Sequence, residues 1–266
     1  GEAPVPSIRP TQLPAHPPRH SVLCRQQEEG PAPLSMSSKK WLPLESNPEV
    51  MNEFAKNLGL DTTQYSYHDV FGFDPDLLMM VPRPVLAVLL LFPISPASEK
   101  HRAEEAERIA KDGQTVNEGL FYMKQTIGNA CGTIGMIHSV GTNAAVLPLA
   151  DGSFLQRFVR DTEGMTFAER GKFLEEHDDL EKAHDAAARE GDTAAPGADD
   201  DVDLHFVCFS CVDGCLYELD GRKPGPVNHG ASSGATLLED AVRVVQQFVS
   251  RSDSLNFNVI ALAKNE

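Results

Sequence analysis

The chain has 266 residues, of which 41% are apolar, so its length and composition allow one sizeable hydrophobic core. Its formal net charge of −16 argues against binding to nucleic acid through phosphate contacts. The longest apolar run, at positions 85–92, is far shorter than the roughly 18 residues that a membrane span needs.

The five cysteines are an odd number, and their spacing is not that of a secreted disulfide framework. The first 35 residues contain no apolar stretch typical of a signal peptide. Free thiols survive in a reducing compartment. We therefore expect a cytoplasmic location. Further expectations are the nucleus as a second location, a monomer, and no metal or other cofactor.

Residues 1–38 contain eight of the nineteen prolines and almost no periodic hydrophobicity. Such a segment cannot bury enough apolar surface to offset the entropy lost on ordering. The sequence predicts a disordered, proline-rich extension here, with Met36 as a plausible second start site, and a globular domain over 39–266.

Helices and strands alternate through the globular part, which predicts an α/β or α+β fold around one sheet. A helix is expected after Asn47-Pro48, because asparagine caps helices and proline fits their first turn, and Gly59 is expected to end it. The other predicted elements before Cys131 are a short helix after Asp74, a strand over 85–92 and an exposed helix over 104–111.

Cys131 follows an irregular Gly-Asn-Ala turn and precedes the apolar pattern Ile134, Ile137, His138. A helix that begins at or near Cys131 is therefore predicted. The free N–H groups at a helix N-terminus lower the pKa of a thiol and favour the nucleophilic thiolate. A further helix is predicted over 166–176, and residues 183–203, rich in Ala, Gly and Asp, are predicted to form a long loop.

A hairpin is predicted over 204–217, with Asp213-Gly214 as its two-residue turn. In that register Asp220 faces Val207 and lies diagonally across from His205, within side-chain reach. The hairpin can thus place an imidazole beside a carboxylate, as a general base and its orienting acid require. The last predicted elements are a helix over 237–248 and a strand over 257–262.

Three other features have weaker functional interpretations. Gln125 could donate its side-chain amide to an oxyanion hole with the backbone N–H of Cys131. Cys208 and Cys211 have metal-ligand spacing, but residues three apart on a strand face opposite sides, so no metal is expected. His138 is predicted to be a core histidine or one that supports the site from behind.

The ubiquitin carboxyl-terminal hydrolases have an active-site motif that resembles the stretch Gln125-Thr-Ile-Gly-Asn-Ala-Cys-Gly-Thr-Ile-Gly-Met-Ile-His138. A second resemblance covers Val202-Asp-Leu-His-Phe206 and Gly214-Cys-Leu-Tyr-Glu-Leu-Asp-Gly-Arg-Lys-Pro224. The likeness extends from Trp41 to Ala263 and is greatest to the short, single-domain L-type members. It implies a papain-like cysteine hydrolase fold, with a central antiparallel sheet flanked by helices and a knotted backbone.

The resemblance also implies roles for individual residues. Cys131 would be the nucleophile, His205 the base, Asp220 its orienting acid and Gln125 the oxyanion donor. A loop at about 183–201 would cross over the active site and limit the leaving groups to small adducts or unfolded tails.

Four further positions would contact ubiquitin, the expected partner, with Nedd8 as a second. Pro43, Val202 and Leu204 match an apolar surface that receives a ubiquitin loop, and Asp69 matches an acid that pairs with arginines of the ubiquitin tail. No nucleic-acid or membrane partner is expected.

Two alternative functions remain open at this point. One is a protein that binds ubiquitin or Nedd8 and sequesters it with little turnover. The other is a different Cys-His-Asp enzyme, such as an acyltransferase, which the spacing of Gln125 and Cys131 disfavours.

Overall fold

The computed structural model describes residues 38–193, 196–197, 200 and 202–266. The helices in these ranges are α1 (Pro48–Asn57), α2 (Pro75–Leu78), α3 (Pro96–Asp112), α4 (Cys131–Thr142), α5 (Phe154–Asp161), α6 (Phe167–Glu175), α7 (Asp178–Ala188) and α8 (Leu237–Ser250). The strands are β1 (Tyr65–Asp69), β2 (Val85–Pro93), β3 (Leu204–Val212), β4 (Cys215–Leu219), β5 (Val227–Ala231) and β6 (Asn258–Lys264).

The six strands form one antiparallel sheet in the order β1-β6-β2-β3-β4-β5. Strand β6 follows every other strand in the chain, yet it lies between β1 and β2. The predicted antiparallel sheet flanked by helices is confirmed. The knotted path of the backbone stays a prediction.

Each face of the sheet packs against its own helices, because successive residues of a strand point to opposite sides. On β2, Leu89 joins the apolar cluster that contains α1 and α4 to α7. Its neighbours Val88 and Leu90 join a second cluster, which contains α8. The strand is therefore buried on both faces, as its continuous apolar sequence predicted.

Local signals in the sequence place several elements correctly. The side chain of Asn47 accepts a hydrogen bond from the backbone N–H of Glu49 (2.9 Å), and α1 ends just before Gly59. Asp213 and Gly214 both have positive φ, as a two-residue hairpin turn requires, and Val212 pairs with Cys215 as predicted. The predictions at 74–78, 85–92, 166–176, 237–248 and 257–262 are also confirmed within a few residues.

The predicted loop over 183–203 is wrong at its beginning, because α7 continues to Ala188. Alanine is the strongest helix former, and His184 and Ala187 bury one face of this helix. The helix predicted over 104–111 begins earlier, at Pro96, where Ser95 and Ser98 form a reciprocal cap. It is also less exposed than expected, since Glu105 is buried.

The predicted extension 1–38 lies, apart from Ser38, outside the described residues. Over the ranges that are described, no helix has both the length and the apolar character that crossing a bilayer would need. Elements that the sequence did not predict are β1, α5, α7 and β5.

Candidate active site

Cys131 is the first residue of α4 and is 9% exposed. The turn before it contains Asn129 in the left-handed region (φ 59°), a conformation that asparagine tolerates. No side chain caps this helix, so its first N–H groups remain directed at the region around the thiol. The predicted position of Cys131 at a helix N-terminus is confirmed.

His205 and Asp220 are joined by a hydrogen bond of 2.7 Å between Nε2 and Oδ1. Both residues are almost completely buried, at 3% and 2% exposure. The same carboxylate oxygen accepts the backbone N–H of Arg222 (2.9 Å), which fixes its orientation. The predicted placement of an imidazole beside a carboxylate by the hairpin is confirmed.

The two halves of the site meet where the residues next to Cys131 and His205 pack together, since a Cβ atom on Gly132 would lie 3.4 Å from the ring of Phe206. Cys131 and His205 accordingly shift each other's pKa. Since Nε2 of His205 contacts Asp220, Nδ1 is the ring nitrogen left for the thiol. Burial raises the pKa of Cys131, but the hydrogen bond and charge of His205, helped by backbone groups of Phe206 and Gly132, bring it below its ordinary value. The site therefore favours a thiolate.

Burial lowers the pKa of His205, but the charge and hydrogen bond of Asp220, with a smaller contribution from Cys131, raise it to about 9. Burial also raises the pKa of Asp220, yet His205 and then Lys223 hold it well below its usual range. At neutral pH His205 is therefore protonated and Asp220 ionised, and the pKa of the neighbouring Cys131 thiol is shifted toward the thiolate. The pair of Cys131 and His205 supplies both a nucleophile and a proton donor.

Gly132 allows the start of α4 to approach β3 and the segment before α1 closely. A Cβ atom on Gly132 would lie 3.0 Å from Cβ of Leu44 and 3.4 Å from the ring of Phe206, which is tighter than most such contacts. A Cβ atom on Gly135 would make only ordinary contacts, the nearest at 3.5 Å from Leu89 of β2. The glycine directly after Cys131 is a signal for this close packing that sequence reasoning did not use.

Gln125 lies beside the segment that follows Asp220. Its backbone N–H donates to the carbonyl of Gly221 (2.9 Å), and a Cβ atom on Gly221 would come within 2.8 Å of Cβ of Gln125. Its side-chain amide donates to the carbonyl of Ile127 (3.1 Å), while Oε1 is buried with no partner among the described residues. The role of Gln125 as oxyanion donor stays a prediction.

A pocket of about 180 Å³ opens beside Cys131 and is lined by Pro43, Val202 and Leu204. The structure thus brings three of the four predicted docking residues to the nucleophile. Asp69 does not line this pocket; it is half-buried on the edge strand β1, opposite Ile260 of β6. Whether these four residues contact ubiquitin stays a prediction.

The segment after α7 is fixed to the rim of this pocket by Glu45, a residue that the sequence did not single out. Its carboxylate accepts hydrogen bonds from the backbone N–H (2.9 Å) and the hydroxyl (2.6 Å) of Thr193. Burial raises the pKa of Glu45, but these two hydrogen bonds lower it by more. Thr193 and Pro196 also line the pocket, so this segment borders the site where a crossing loop was predicted.

The other sequence features behave as buried structural groups. Cys208 and Cys211 belong to the apolar clusters on opposite faces of the sheet, as their spacing on a strand predicted. Within the described ranges, no three metal-ligating side chains come together. His138 is fully buried beside Tyr122, so its predicted place in the core is confirmed.

A protein-family model described as "Ubiquitin carboxyl-terminal hydrolase, family 1" matches residues 41–250. A protein of Arabidopsis thaliana called ubiquitin carboxyl-terminal hydrolase 3 is 51% identical over 231 residues, which are 86% of this chain and 97% of that protein. The human ubiquitin carboxyl-terminal hydrolase isozyme L1 is 45% identical over 223 residues, which are 84% of this chain and 97% of that protein.

Among solved structures, the fold is similar to the catalytic domain of Trichinella spiralis UCH37 bound to ubiquitin vinyl methyl ester. The TM-score is 0.66 and the identity is 20%, over 87% of this chain and 99% of that one. At this identity the likeness concerns the fold alone.

Proposed function

This chain belongs to family 1 of the ubiquitin carboxyl-terminal hydrolases, and we propose that Cys131, His205 and Asp220 carry out its cysteine-type hydrolysis. The observation that carries the proposal is the 2.7 Å hydrogen bond between His205 and the buried Asp220 carboxylate, beside a thiol at a helix N-terminus whose pKa His205 lowers. A hydrolase that cleaves after the C-terminal glycine of ubiquitin needs a nucleophile and a proton donor in one place, and these three residues provide both.

In the first half of the proposed reaction, the Cys131 thiolate attacks the carbonyl carbon of the last glycine. The backbone N–H of Cys131 and the amide of Gln125, released from Ile127, stabilise the negative charge on the oxygen. Protonated His205 donates its proton to the leaving amine, alcohol or thiol, and a thioester remains. His205, now neutral, then takes a proton from water, and the hydroxide attacks the thioester. Collapse of the second oxyanion releases the glycine carboxylate and restores the thiolate.

The pocket beside Cys131 is proposed to receive ubiquitin. Pro43, Val202 and Leu204 would contact an apolar ubiquitin loop, and Asp69 would pair with arginines of the tail before it reaches the thiol. The segment fixed by Glu45 narrows the approach, which suits a tail ending in Gly-Gly and favours small adducts or unfolded tails as leaving groups.

We also propose that Nedd8 is a second substrate and that the enzyme acts as a monomer in the cytoplasm and nucleus. The net charge of −16 supports a basic protein substrate over a polyanion. The ratio of kcat/KM for C-terminal fluorogenic amides of ubiquitin and Nedd8 tests the substrate pair. A Nedd8 rate equal to that of an unrelated peptide amide would exclude it.

The central test compares the wild type with Cys131→Ala and with Cys215→Ala, a control at a half-buried cysteine outside the site. We expect Cys131→Ala to abolish hydrolysis of a ubiquitin C-terminal amide while ubiquitin binding, measured by calorimetry, persists. The control should turn over like the wild type. Full turnover by Cys131→Ala would refute the assignment.

A ubiquitin probe with a C-terminal vinyl sulfone separates an enzyme from a protein that merely sequesters ubiquitin. An active thiolate should label one to one, at Cys131, as located by peptide mass spectrometry. Tight ubiquitin binding without labelling would favour sequestration.

A further inference from the structure

His138 lies two turns after Cys131 on α4 and is completely buried. Its Nε2 lies 3.1 Å from the backbone nitrogen and 3.2 Å from the carbonyl oxygen of Met123. Because the N–H of Met123 needs an acceptor, the favoured tautomer carries its proton on Nδ1. Nδ1 lies 3.1 Å from the carbonyl of Leu219 and donates to it. The imidazole therefore spans a backbone donor on one side and a backbone acceptor on the other.

These two backbone partners belong to the segments that carry the other site residues. Met123 comes two residues before Gln125, and Leu219 comes directly before Asp220. We infer that His138 is a positioning residue, which fixes the segments of Gln125 and Asp220 against the helix that carries Cys131. The inference deepens the function proposed above and rests on it.

Tyr122 adds a second connection to the backbone of the Asp220 segment. Its ring stacks on the imidazole of His138, with 5.1 Å between centroids and 11° between planes. Its hydroxyl is within donor distance of the carbonyls of Asp220 (2.5 Å) and Lys223 (2.8 Å). The orientation of the ring that makes these contacts thus depends on the imidazole beneath it.

The charge state of His138 suits this role. Burial lowers its pKa to about 4, opposed by the carbonyl contacts and by Asp220, while Arg170 lowers it further. A neutral imidazole is required, because a protonated Nε2 could not accept the N–H of Met123. A side chain with an acceptor and a donor about one ring apart satisfies both backbone groups, whereas an apolar residue would remove both hydrogen bonds from a buried place.

Two amide substitutions test the two hydrogen bonds of His138 separately. The amide of His138→Asn reaches the place of Nδ1 and can still donate to Leu219, but it loses Met123. The amide of His138→Gln reaches the place of Nε2 and can still accept from Met123, but it loses Leu219. Each variant keeps one of the two hydrogen bonds, which favours folding.

The readouts are kcat for a ubiquitin C-terminal amide and the pH dependence of both turnover and Cys131 alkylation by iodoacetamide. For His138→Asn we expect the alkaline limb, which is the fall of turnover at high pH, to stay at the wild-type position. The value of kcat should fall by roughly tenfold, because a displacement of less than 1 Å costs less than the roughly 100-fold of a 1 Å misplacement. For His138→Gln we expect the alkaline limb to move down by about one pH unit, because Asp220 is less well held against His205.

Tyr67→Phe is the matched control, since it removes a buried hydrogen bond to the neighbouring α4 residue Ser139 (2.7 Å). It should lower thermal stability by a similar amount without moving kcat or the pH profile. The inference is overturned if both His138 variants behave like this control, or if they share one profile.

Alkylation of Cys131 reports the thiolate without turnover, so it tests the positioning role separately. If the wild type failed to hydrolyse any ubiquitin amide, the proposed function would fail. A His138-dependent shift of the alkylation profile would in that case still support the positioning role.

Discussion

His205 and Asp220 are buried and joined by a 2.7 Å hydrogen bond, whereas Pro43, Val202 and Leu204 line the neighbouring pocket with half-buried apolar side chains. The first group is held by directional polar contacts at fixed distances. The second group forms an apolar surface with a shape that a partner can fit. Changes in the buried group should therefore alter kcat and its pH dependence, while changes at the pocket should alter KM.

The largest effect should come from Asp220→Asn. The rate requires protonated His205 as a proton donor, so turnover falls as the pH rises through its pKa of about 9. Without the Asp220 carboxylate the main cause of that raised pKa is lost, and the alkaline limb should move to lower pH. We expect kcat to fall by roughly 10²- to 10⁴-fold.

Steady-state kinetics from pH 5 to 10 measure both effects of Asp220→Asn. Asp213→Asn, on the exposed turn of the same hairpin, is the control and should leave the profile unchanged. An unmoved alkaline limb in Asp220→Asn would contradict the role given to this carboxylate.

The second-largest effect should come from Lys223→Met, which removes a buried cation that also acts on Asp220. Nζ of Lys223 lies 2.5 Å from carboxylate oxygens of both Glu105 and Glu218. Lys223→Met would leave two buried carboxylates without this cation, which should lower the free energy of unfolding by about 3–5 kcal/mol. Lys56→Met removes an exposed pair with Glu53 and should cost only about 0–1 kcal/mol.

Urea unfolding at pH 7 compares Lys223→Met with Lys56→Met. Equal losses in the two variants would show that burial does not decide the strength of these contacts. The idea that burial strengthens the polar contacts of the first group would then be wrong.

At the pocket, Val202→Ser should raise KM by roughly fivefold with kcat almost unchanged, since losing one apolar contact costs about 1 kcal/mol. This effect should not depend on salt. A fall in kcat with an unchanged KM would mean that Val202 acts on the buried group instead of on ubiquitin.

The smallest effect should come from Asp69→Asn, which removes a charge on β1, away from the pocket. A surface ion pair contributes about 0.2–1 kcal/mol, so KM should rise by roughly 1.4- to fivefold. The difference from the wild type should shrink above about 0.15 M salt, because screening weakens such pairs. A salt-independent change would contradict pairing with arginines.

The sequence could predict those features of the site that depend on neighbouring residues. The register that places Asp220 beside His205 follows from the Asp213-Gly214 turn, because a two-residue hairpin fixes all opposing pairs. The start of α4 follows equally from the local pattern around Cys131. Turns and helix ends are decided by neighbouring residues, so these features need no knowledge of the whole fold.

Contacts between distant segments could not be predicted from the residues alone. The approach of Cys131 to His205 depends on how α4 packs on β3, which Gly132 permits. The contact of Glu45 with Thr193 likewise joins segments that are far apart in sequence. The edge strand β1 was missed because Tyr65-Ser-Tyr-His-Asp69 is short and alternates over only four residues, and the end of α7 was taken as a loop because of its Ala- and Asp-rich composition.

The place of β6 between β1 and β2 has a consequence for synthesis on the ribosome. When β1 and β2 have left the exit tunnel, each still has an unpaired edge, and the strand that joins them is made only after α8. Open strand edges next to apolar faces are prone to aggregation. We therefore expect the nascent chain to need chaperone protection until β6 emerges. The six-stranded sheet should be completed only after translation has passed Lys264.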